Sequence, residues 1–221
     1  MSRDLFRREI TELQDEVLIL GSMAEKALMD AMESLRDGDH RWSQKIVEDD
    51  TRINAKRFEI EERVIFVIAS QQPMATDLRA LVSMLFIITD LERIADHAEG
   101  VARINMMLAD EPLPRRLGYI PAMADRTVAM LRDSLKAFIE QDIAAARQIC
   151  EADDEVDRLQ DRVYEDSTAA MIADPSTIQR NTYMLWTAHN LERIADRCTN
   201  ICERIIYLVT GNMEEINISK Y

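Results

Sequence analysis

Pairs of carboxylates at helical spacing are the residues of this sequence best suited to chemistry. Glu92 and Asp96 stand four positions apart, and so do Glu192 and Asp196. Residues at this spacing lie on one face of a helix, where two like charges cost about 0.2–0.5 kcal/mol. A bound cation would offset that cost, so each pair is a candidate cation site.

The two pairs belong to identical hexapeptides, Leu-Glu-Arg-Ile-Ala-Asp, at 91–96 and 191–196. An identical string repeated 100 positions apart indicates an internal duplication. Corresponding positions of the two halves differ by 103 in residue number at Asp50 and Asp153, and by 100 again at the hexapeptide. These changes fall at predicted turns, where a helical repeat tolerates them.

A second set of residues pairs with the first if consecutive helices form antiparallel hairpins. Asp50 and Asn54 are four apart, as are Asp153 and Asp157, and symmetric hairpins would place each level with a hexapeptide acid on the next helix. Packed helices lie about 8–10 Å apart, so four oxygen-bearing side chains would converge. The candidate metal ligands are Asp50, Asn54, Glu92, Asp96, Asp153, Asp157, Glu192 and Asp196.

Oxygen ligands of this kind suit iron, manganese, magnesium or calcium, and also zinc, rather than a thiolate-preferring metal. The alternative interpretation is that the acids form a solvated helix face and pair locally with Arg93 and Arg193. Weaker candidate ligands are His189, which lies on the acid stripe three residues before Glu192, and Glu25 and Asp125 on the first helix of each half.

Composition favours long helices. Apolar residues make up 47% of 221 residues, with only five Gly and five Pro, and they recur at steps of three and four. We predict an all-α chain built as a tandem repeat of two similar antiparallel three-helix bundles, six long helices in total. The predicted bounds are 1–110 for the first bundle, 111–121 for a linker, 122–210 for the second bundle and 211–221 for a tail.

The charge of the chain limits its possible binding partners, and its cysteine content limits its possible cellular compartment. The chain has 27 basic and 41 acidic residues, a net charge of −14, which argues against nucleic-acid binding. Its three cysteines, an odd number, form no disulfide framework, and no apolar run is long enough to span a bilayer. We expect a cytoplasmic protein without a transmembrane segment.

The duplicated hexapeptide, the Gln72–Arg79 segment (Gln-Pro-Met-Ala-Thr-Asp-Leu-Arg) and the acids Asp50 and Asp153 resemble the PhoU family of regulators of bacterial phosphate uptake. The resemblance covers nearly the whole chain. It implies two three-helix bundles with multinuclear iron or zinc clusters on the acid pairs, while the chemistry of the oxygen ligands leaves manganese and magnesium as alternatives. Asn54 departs from the family pattern of two acids, which predicts a weaker first site or fewer metals there.

The resemblance also implies partners: the ATPase of a phosphate ABC transporter and a sensor histidine kinase, which the protein would couple as a negative regulator of the phosphate-starvation response. A cytoplasmic homodimer, held at the inner membrane only through its partners, is the implied form. We expect no enzymatic activity, because no nucleophile–base pair, phosphate-binding glycine loop or kinase signature is present.

Two other functional classes are alternatives to this interpretation. A ferritin-like di-metal enzyme or storage protein would use paired Glu-x-x-His ligands, which this chain lacks. A metal-free helical scaffold that binds partners through its acidic surface is the other, and it predicts that removing Asp96 and Asp196 leaves partner binding unchanged.

Overall fold

Within residues 3–108 and 117–216, which the computed structural model describes, the chain forms six α-helices and no strand. The predicted all-α tandem repeat is confirmed. The first unit contains α1 (Arg3–Asp37), α2 (His40–Gln71) and α3 (Thr76–Met107). The second unit contains α4 (Ile120–Glu140), α5 (Ile143–Ala173) and α6 (Ile178–Thr210), with a short 3-10 helix, Pro175–Thr177, before α6.

Equivalent turns in the two units use the same aspartate cap. Asp39 accepts a hydrogen bond from the backbone N–H of Trp42 at 2.9 Å, and Asp142 accepts one from Ala145 at 3.0 Å. Each cap satisfies a backbone donor that the first turn of a helix leaves unpaired. The duplication therefore extends from the hexapeptides to the residues that start α2 and α5.

The helices form two layers. The order α2–α3–α6–α5 makes one layer, while α1 packs against α2 and α3, and α4 packs against α5, α6 and α1. Apolar side chains at steps of three and four fill the space between the layers; Leu91, Ile94 and Ala98 of α3 are examples, each fully or almost fully buried. One face of the four-helix layer is thus covered by α1 and α4, and no helix among the described residues lies on the other. We call that other side the open face.

The two units meet along α3 and α6 through part-buried polar contacts. A carboxylate oxygen of Asp90 accepts hydrogen bonds from Asn200 at 3.3 Å and Arg197 at 3.5 Å. The side chain of Asn190, which occupies the position of Asp90 in the second repeat, lies 3.0 Å from Nδ1 of His97, which occupies the position of Arg197. The same two positions therefore meet twice, so an approximate two-fold axis passes between α3 and α6.

The segment joining the units and the end of the chain are described only in part. Residues 109–116 and 217–221 lie outside the described residues, and most of the predicted linker at 111–121 falls there. Ile120 and Pro121 belong to α4. Residues 211–216 of the predicted tail lie against the second unit, where Glu214 pairs with Arg147 at 2.6 Å and the N–H of Ile216 donates to Glu203 at 2.8 Å. None of the six helices in the described part of the chain contains an apolar stretch of membrane-spanning length.

Candidate functional site

The first candidate cluster lies where α2 packs against α3. Asp50 and Asn54 occupy α2, Glu92 and Asp96 occupy α3, and all four side chains are half-buried. The amide nitrogen of Asn54 donates a hydrogen bond to Oδ2 of Asp50 at 2.8 Å. That bond orients the amide so that its oxygen, like Oδ1 of Asp50, is buried without a hydrogen-bond partner.

Charge on the neighbouring helix acts strongly on Asp50. Burial, together with the carboxylates of Glu99, Asp96 and Glu92, raises the pKa of Asp50 to about 6, and the hydrogen bond from Asn54 opposes the shift. A neighbouring like charge raises the pKa of a carboxyl group, and so does burial. The charges that raise the pKa of Asp50 lie on α3, which carries Glu92, Asp96 and Glu99.

Arg93 offsets part of this charge without fully neutralising it. Its guanidinium lies 3.2 Å from Asp96 and 3.6 Å from Glu92. Oε2 of Glu92 is buried and makes no hydrogen bond. The first cluster thus holds acceptor oxygens on Asp50, Asn54 and Glu92 that a cation could use.

The second cluster, between α5 and α6, is more buried and more tightly paired. Arg193 donates two hydrogen bonds to Glu192, at 2.7 and 2.8 Å, and lies 3.0 Å from Asp196. Burial raises the pKa of Glu192, Arg193 lowers it in part, and the charges of Asp196 and Asp157 raise it further. Asp153 is buried, and its charge helps to raise the pKa of the Cys198 thiol, second to burial of that thiol.

The acid side chains do not form a ready metal-binding arrangement. Among the residues that the structure describes, no three His, Cys, Asp or Glu side chains converge closely enough to hold a metal ion as they stand. The local pairing of Arg93 and Arg193 with their hexapeptide acids, which the sequence left open as an alternative, is present in both units. A metal would have to compete with these arginines and turn the carboxylates toward one another.

Glu99 belongs with the first cluster, although the repeat comparison gave no reason to choose it. Its charge is the largest electrostatic influence on Asp50, and its carboxylate pairs with Arg103 at 2.6 Å. The equivalent residue in the second unit is Thr199, so a search for duplicated acids passes over it. Its position seven residues after Glu92, on the same helix face, is the signal that could have identified it.

A cleft of about 270 Å³ between α1 and α2 reaches this cluster from the covered side. Asp50 and Glu99 form part of its wall, and Lys26 and Lys45 stand beside them. Lys26 is paired with Asp30 at 2.5 Å. The cleft gives small ions a route to Asp50 that does not cross the open face.

The weaker candidate ligands lie in other surroundings. Glu25 forms an ion pair with Arg132 at 2.6 Å, which joins α1 to α4, and Asp125 is exposed on α4. The side chain of His189 is more than half exposed, with Nδ1 3.5 Å from Glu192, and partial desolvation of the ring together with the charge of Arg193 lowers its pKa. Of these three, only His189 therefore lies beside a candidate cluster.

Comparison with known proteins identifies the family. The model of the PhoU domain matches residues 17–104 and again 120–205, one match in each unit. The chain belongs to the PhoU family. Both PhoU matches include the hexapeptide of their unit, so the duplication seen in the sequence is a duplication of the PhoU domain.

Curated relatives and solved structures match nearly the whole chain. A phosphate-specific transport system accessory protein PhoU homolog from Clostridium acetobutylicum is 38% identical over 98% of this chain and all of its own length. The PhoU accessory protein of Escherichia coli is 32% identical over 93% of this chain and 86% of its own.

Two crystal structures have the same fold. That of PhoU from Pseudomonas aeruginosa superposes with a TM-score of 0.88 at 33% identity, covering 94% of this chain and 100% of that chain. That of the phosphate transport system regulatory protein PhoU from Streptococcus pneumoniae superposes with a TM-score of 0.89 at 29% identity, covering 95% of this chain and 99% of that chain.

Proposed function

We propose that this chain is an accessory regulator of a phosphate ABC transporter. In this proposal it works in the cytoplasm as a homodimer without catalysing a reaction. It contacts the ATPase subunit of the transporter and a sensor histidine kinase, and it damps the phosphate-starvation response when phosphate is plentiful. The observation that carries the proposal is the similarity of both units, along nearly the whole chain, to proteins named as accessory to phosphate-specific transport.

The second part of the proposal is a metal site on each pair of neighbouring helices. In the first unit Asp50, Asn54, Glu92 and Asp96 would hold the ion, with Glu99 as a further oxygen donor. In the second unit Asp153, Asp157, Glu192 and Asp196 would do so. Iron or zinc is the first expectation and manganese or magnesium the alternative, because hard oxygen donors suit these ions.

Three buried oxygens without hydrogen-bond partners, on Asp50, Asn54 and Glu92, support the first of these sites. Buried acceptors of this kind are rare, because each carries a desolvation cost that a ligand can remove. A divalent cation held there would neutralise part of the negative charge of the carboxylates around it. Arg93 and Arg193, released from their acids, would then project from the open face toward a partner.

Elemental analysis of protein purified without chelator or affinity metal tests the metal sites. The Glu92→Ala/Asp96→Ala/Glu192→Ala/Asp196→Ala variant is expected to lose the metal that the parent carries. A matched control is Glu33→Ala/Asp37→Ala, which removes another i, i+4 acid pair that contacts an arginine, Arg36, on an exposed helix face. Equal metal content in all three proteins, or none after reloading, would refute the metal sites and leave the acids paired only with protein groups.

Deletion of the gene in the organism that encodes this chain tests the regulatory role. Expression of phosphate-starvation genes in phosphate-rich medium should rise on deletion and return to its low level when the wild-type chain is restored. Unchanged expression after deletion would refute the role. Complementation by the four-acid variant then separates the two parts of the proposal, since a scaffold without metal would still restore repression.

A further inference from the structure

The cleft between α1 and α2 of the first unit separates its charged side chains by depth. Among the acids of its lining, the side chains of Glu99 and Asp30 are only 20% and 23% exposed. Among the bases, the side chains of Arg52 and Lys26 are 76% and 74% exposed, and Lys45 is exposed as well. The interior of the α1–α2 cleft is therefore acidic and its mouth is basic.

Ion pairing leaves one charge of each sign in this cleft without an opposite partner. Three of its acids pair with nearby bases: Asp30 with Lys26 at 2.5 Å, Asp49 with Arg52 at 3.1 Å and Glu99 with Arg103 at 2.6 Å. Within the described chain, neither Asp50 nor Lys45 forms an ion pair. Oδ2 of Asp50 accepts its hydrogen bond from the amide of Asn54, and Oδ1 makes none. A carboxylate inside the cleft and an ammonium group at its mouth are thus available to a ligand.

Apolar side chains form the walls between these two charges. Met23 and Ala27 line the cleft from α1, and Ile46 and Ile53 line it from α2, where the half-buried ring of Trp42 completes the wall. The volume of about 270 Å³ lies just below the range of about 300–1,000 Å³ that is typical of pockets for drug-sized ligands. The cleft therefore suits a small molecule with an apolar middle.

The positions of the two charges set the length of that molecule. Lys45 and Asp50 are five residues apart on α2. This spacing corresponds to about 7.5 Å along the helix axis. An aliphatic chain of about five bonds covers a similar distance.

The duplication shows which parts of the α1–α2 cleft the fold requires. The second unit keeps apolar residues at three positions of the wall, with Met123, Ile149 and Val156 in place of Met23, Ile46 and Ile53. It lacks the polar and aromatic groups: Trp42, Lys45, Asp49, Arg52 and Glu99 correspond to Ala145, Gln148, Ala152, Glu155 and Thr199. The same helix pair can therefore pack without these groups, so packing does not account for them in the first unit.

The charges of the cleft favour a ligand that carries both signs. A cation gains most beside Asp50, because a poorly solvated carboxylate attracts it more strongly than an exposed one does. The pKa of about 6 leaves Asp50 ionised at pH 7.5. Lys45 would repel a second cation at the mouth, which disfavours a diamine, and Asp50 would repel a dianion.

We propose that the α1–α2 cleft binds a small zwitterion, with its ammonium group beside Asp50, its aliphatic chain between Met23 and Ile46, and its anionic end at Lys45. The anionic end is a carboxylate or a phosphate monoester, since a lysine ammonium binds either one as a compact positive charge. This site depends neither on the regulatory role nor on the metal sites proposed above. A metal on Asp50 would exclude the ammonium group, so the site is tested in chelator.

The test compares probes whose two end groups are separated by the same number of bonds. The zwitterions are 5-aminopentanoate and 3-aminopropyl phosphate, the diamine is putrescine and the dianion is adipate. NMR titration at pH 7.5 follows the indole N–H resonances of Trp42 and of Trp186, which lies on α6 and serves as the internal reference. A zwitterion is expected to shift the Trp42 resonance alone and to bind at least about tenfold more tightly than putrescine or adipate. The tighter of the two zwitterions identifies the anionic group.

Two substitutions test the two ends of the ligand. Lys45→Gln, which introduces the residue of the second unit, and Asp50→Asn should each weaken binding of the zwitterion at least about tenfold, because each removes a charged hydrogen-bonding partner. Lys136→Gln is the matched control, since Lys136 is an exposed lysine of the cleft between α4 and α5. This variant should bind the zwitterion as the wild type does.

Three results with the wild-type chain would overturn the proposal whether or not the variants fold. Putrescine binding as tightly as the zwitterions would mean that the cleft attracts cations only. Adipate or inorganic phosphate binding as tightly would mean that the basic mouth acts alone. No shift of the Trp42 resonance with any probe at millimolar concentrations would mean that the cleft binds none of them. Unchanged affinity in folded Lys45→Gln would overturn the proposal as well, and none of these results bears on the regulatory role.

Discussion

The amide of Asn54 donates a 2.8 Å hydrogen bond to Oδ2 of Asp50, one helical turn away on α2. This bond replaces the repulsion that two acids would have at these positions, and its counterpart in the second unit is the pair Asp153 and Asp157. Among the duplicated positions the first cluster therefore has one carboxylate fewer than the second, and it has the acid Glu99 where the second unit has Thr199.

Asn54→Asp should make the thermal stability of the first unit depend more strongly on bound metal. The new carboxylate would repel Asp50 and Glu92, so in chelator the melting temperature is expected to fall. Added manganese or zinc should restore it, with a larger rise than the wild type shows. Asp157→Asn, the reciprocal change in the second unit, should reduce the rise instead. A melting temperature of Asn54→Asp that does not respond to either ion would contradict a cation site at these residues.

The stability of the metal-free protein should depend on pH through Asp50. Its pKa is raised from 3.8 to about 6 in the folded chain, so between these values the folded state holds a proton that the unfolded state has lost. Stability therefore falls as pH rises from about 4 to about 6, and the loss is complete above that range. The difference in melting temperature between wild type and Asp50→Asn, measured in chelator, isolates this contribution. A difference that stays constant from pH 4 to pH 7.5 would show that Asp50 titrates normally.

The fold could be predicted from the sequence because helical periodicity and duplication together constrain where the helices lie. Apolar residues at steps of three and four define the buried sides of the helices, and turn residues such as Asp39 and Asp142 define where helices begin. The symmetry of each hairpin also places Asp50 level with Asp96, since an antiparallel pair joined by a short turn has little freedom of register.

The contacts through which the two units dock could not be predicted from the sequence in the same way. Asp90 and Arg197 are charged residues on long helices, and nothing in their spacing distinguishes them from surface residues. The duplication does not identify Glu99 either, because its counterpart in the second unit is Thr199. The direction in which each hexapeptide acid turns is likewise set by Arg93 and Arg193, whose rotamers depend on the packed structure rather than on local sequence.

Asp90 should contribute strongly to the docking of the units. Its carboxylate is buried and accepts hydrogen bonds from Asn200 and Arg197. Asp90→Ala would therefore leave both donors without this acceptor. The expected loss in the free energy of unfolding is about 2–4 kcal/mol, measured by urea denaturation. Asp90→Asn keeps the acceptor oxygen and removes a buried charge, so its loss should stay below about 1 kcal/mol.

A surface pair provides the comparison for Asp90. Asp49→Ala removes an acid that pairs with Arg52 at 3.1 Å in an exposed position, and it should change stability by no more than about 0.5 kcal/mol. If Asp90→Ala costs as little as this control, the contact between α3 and α6 depends on apolar packing rather than on the buried polar pair.

The three cysteines should be unreactive while the second unit is folded. Cys150, Cys198 and Cys202 are buried. Burial raises the pKa of Cys198, and a hydrogen bond with Cys150 followed by burial raises that of Cys202, so little thiolate is present at neutral pH. A thiol reagent such as Ellman's reagent is expected to label none of them over minutes in the native protein and all three after unfolding in denaturant. Ser70→Cys, at an exposed position on α2, supplies a fast-reacting control. Rapid labelling of the native thiols would mean that the helices of the second unit separate on the timescale of the reaction, so that α5 and α6 open far more readily than their buried contacts predict.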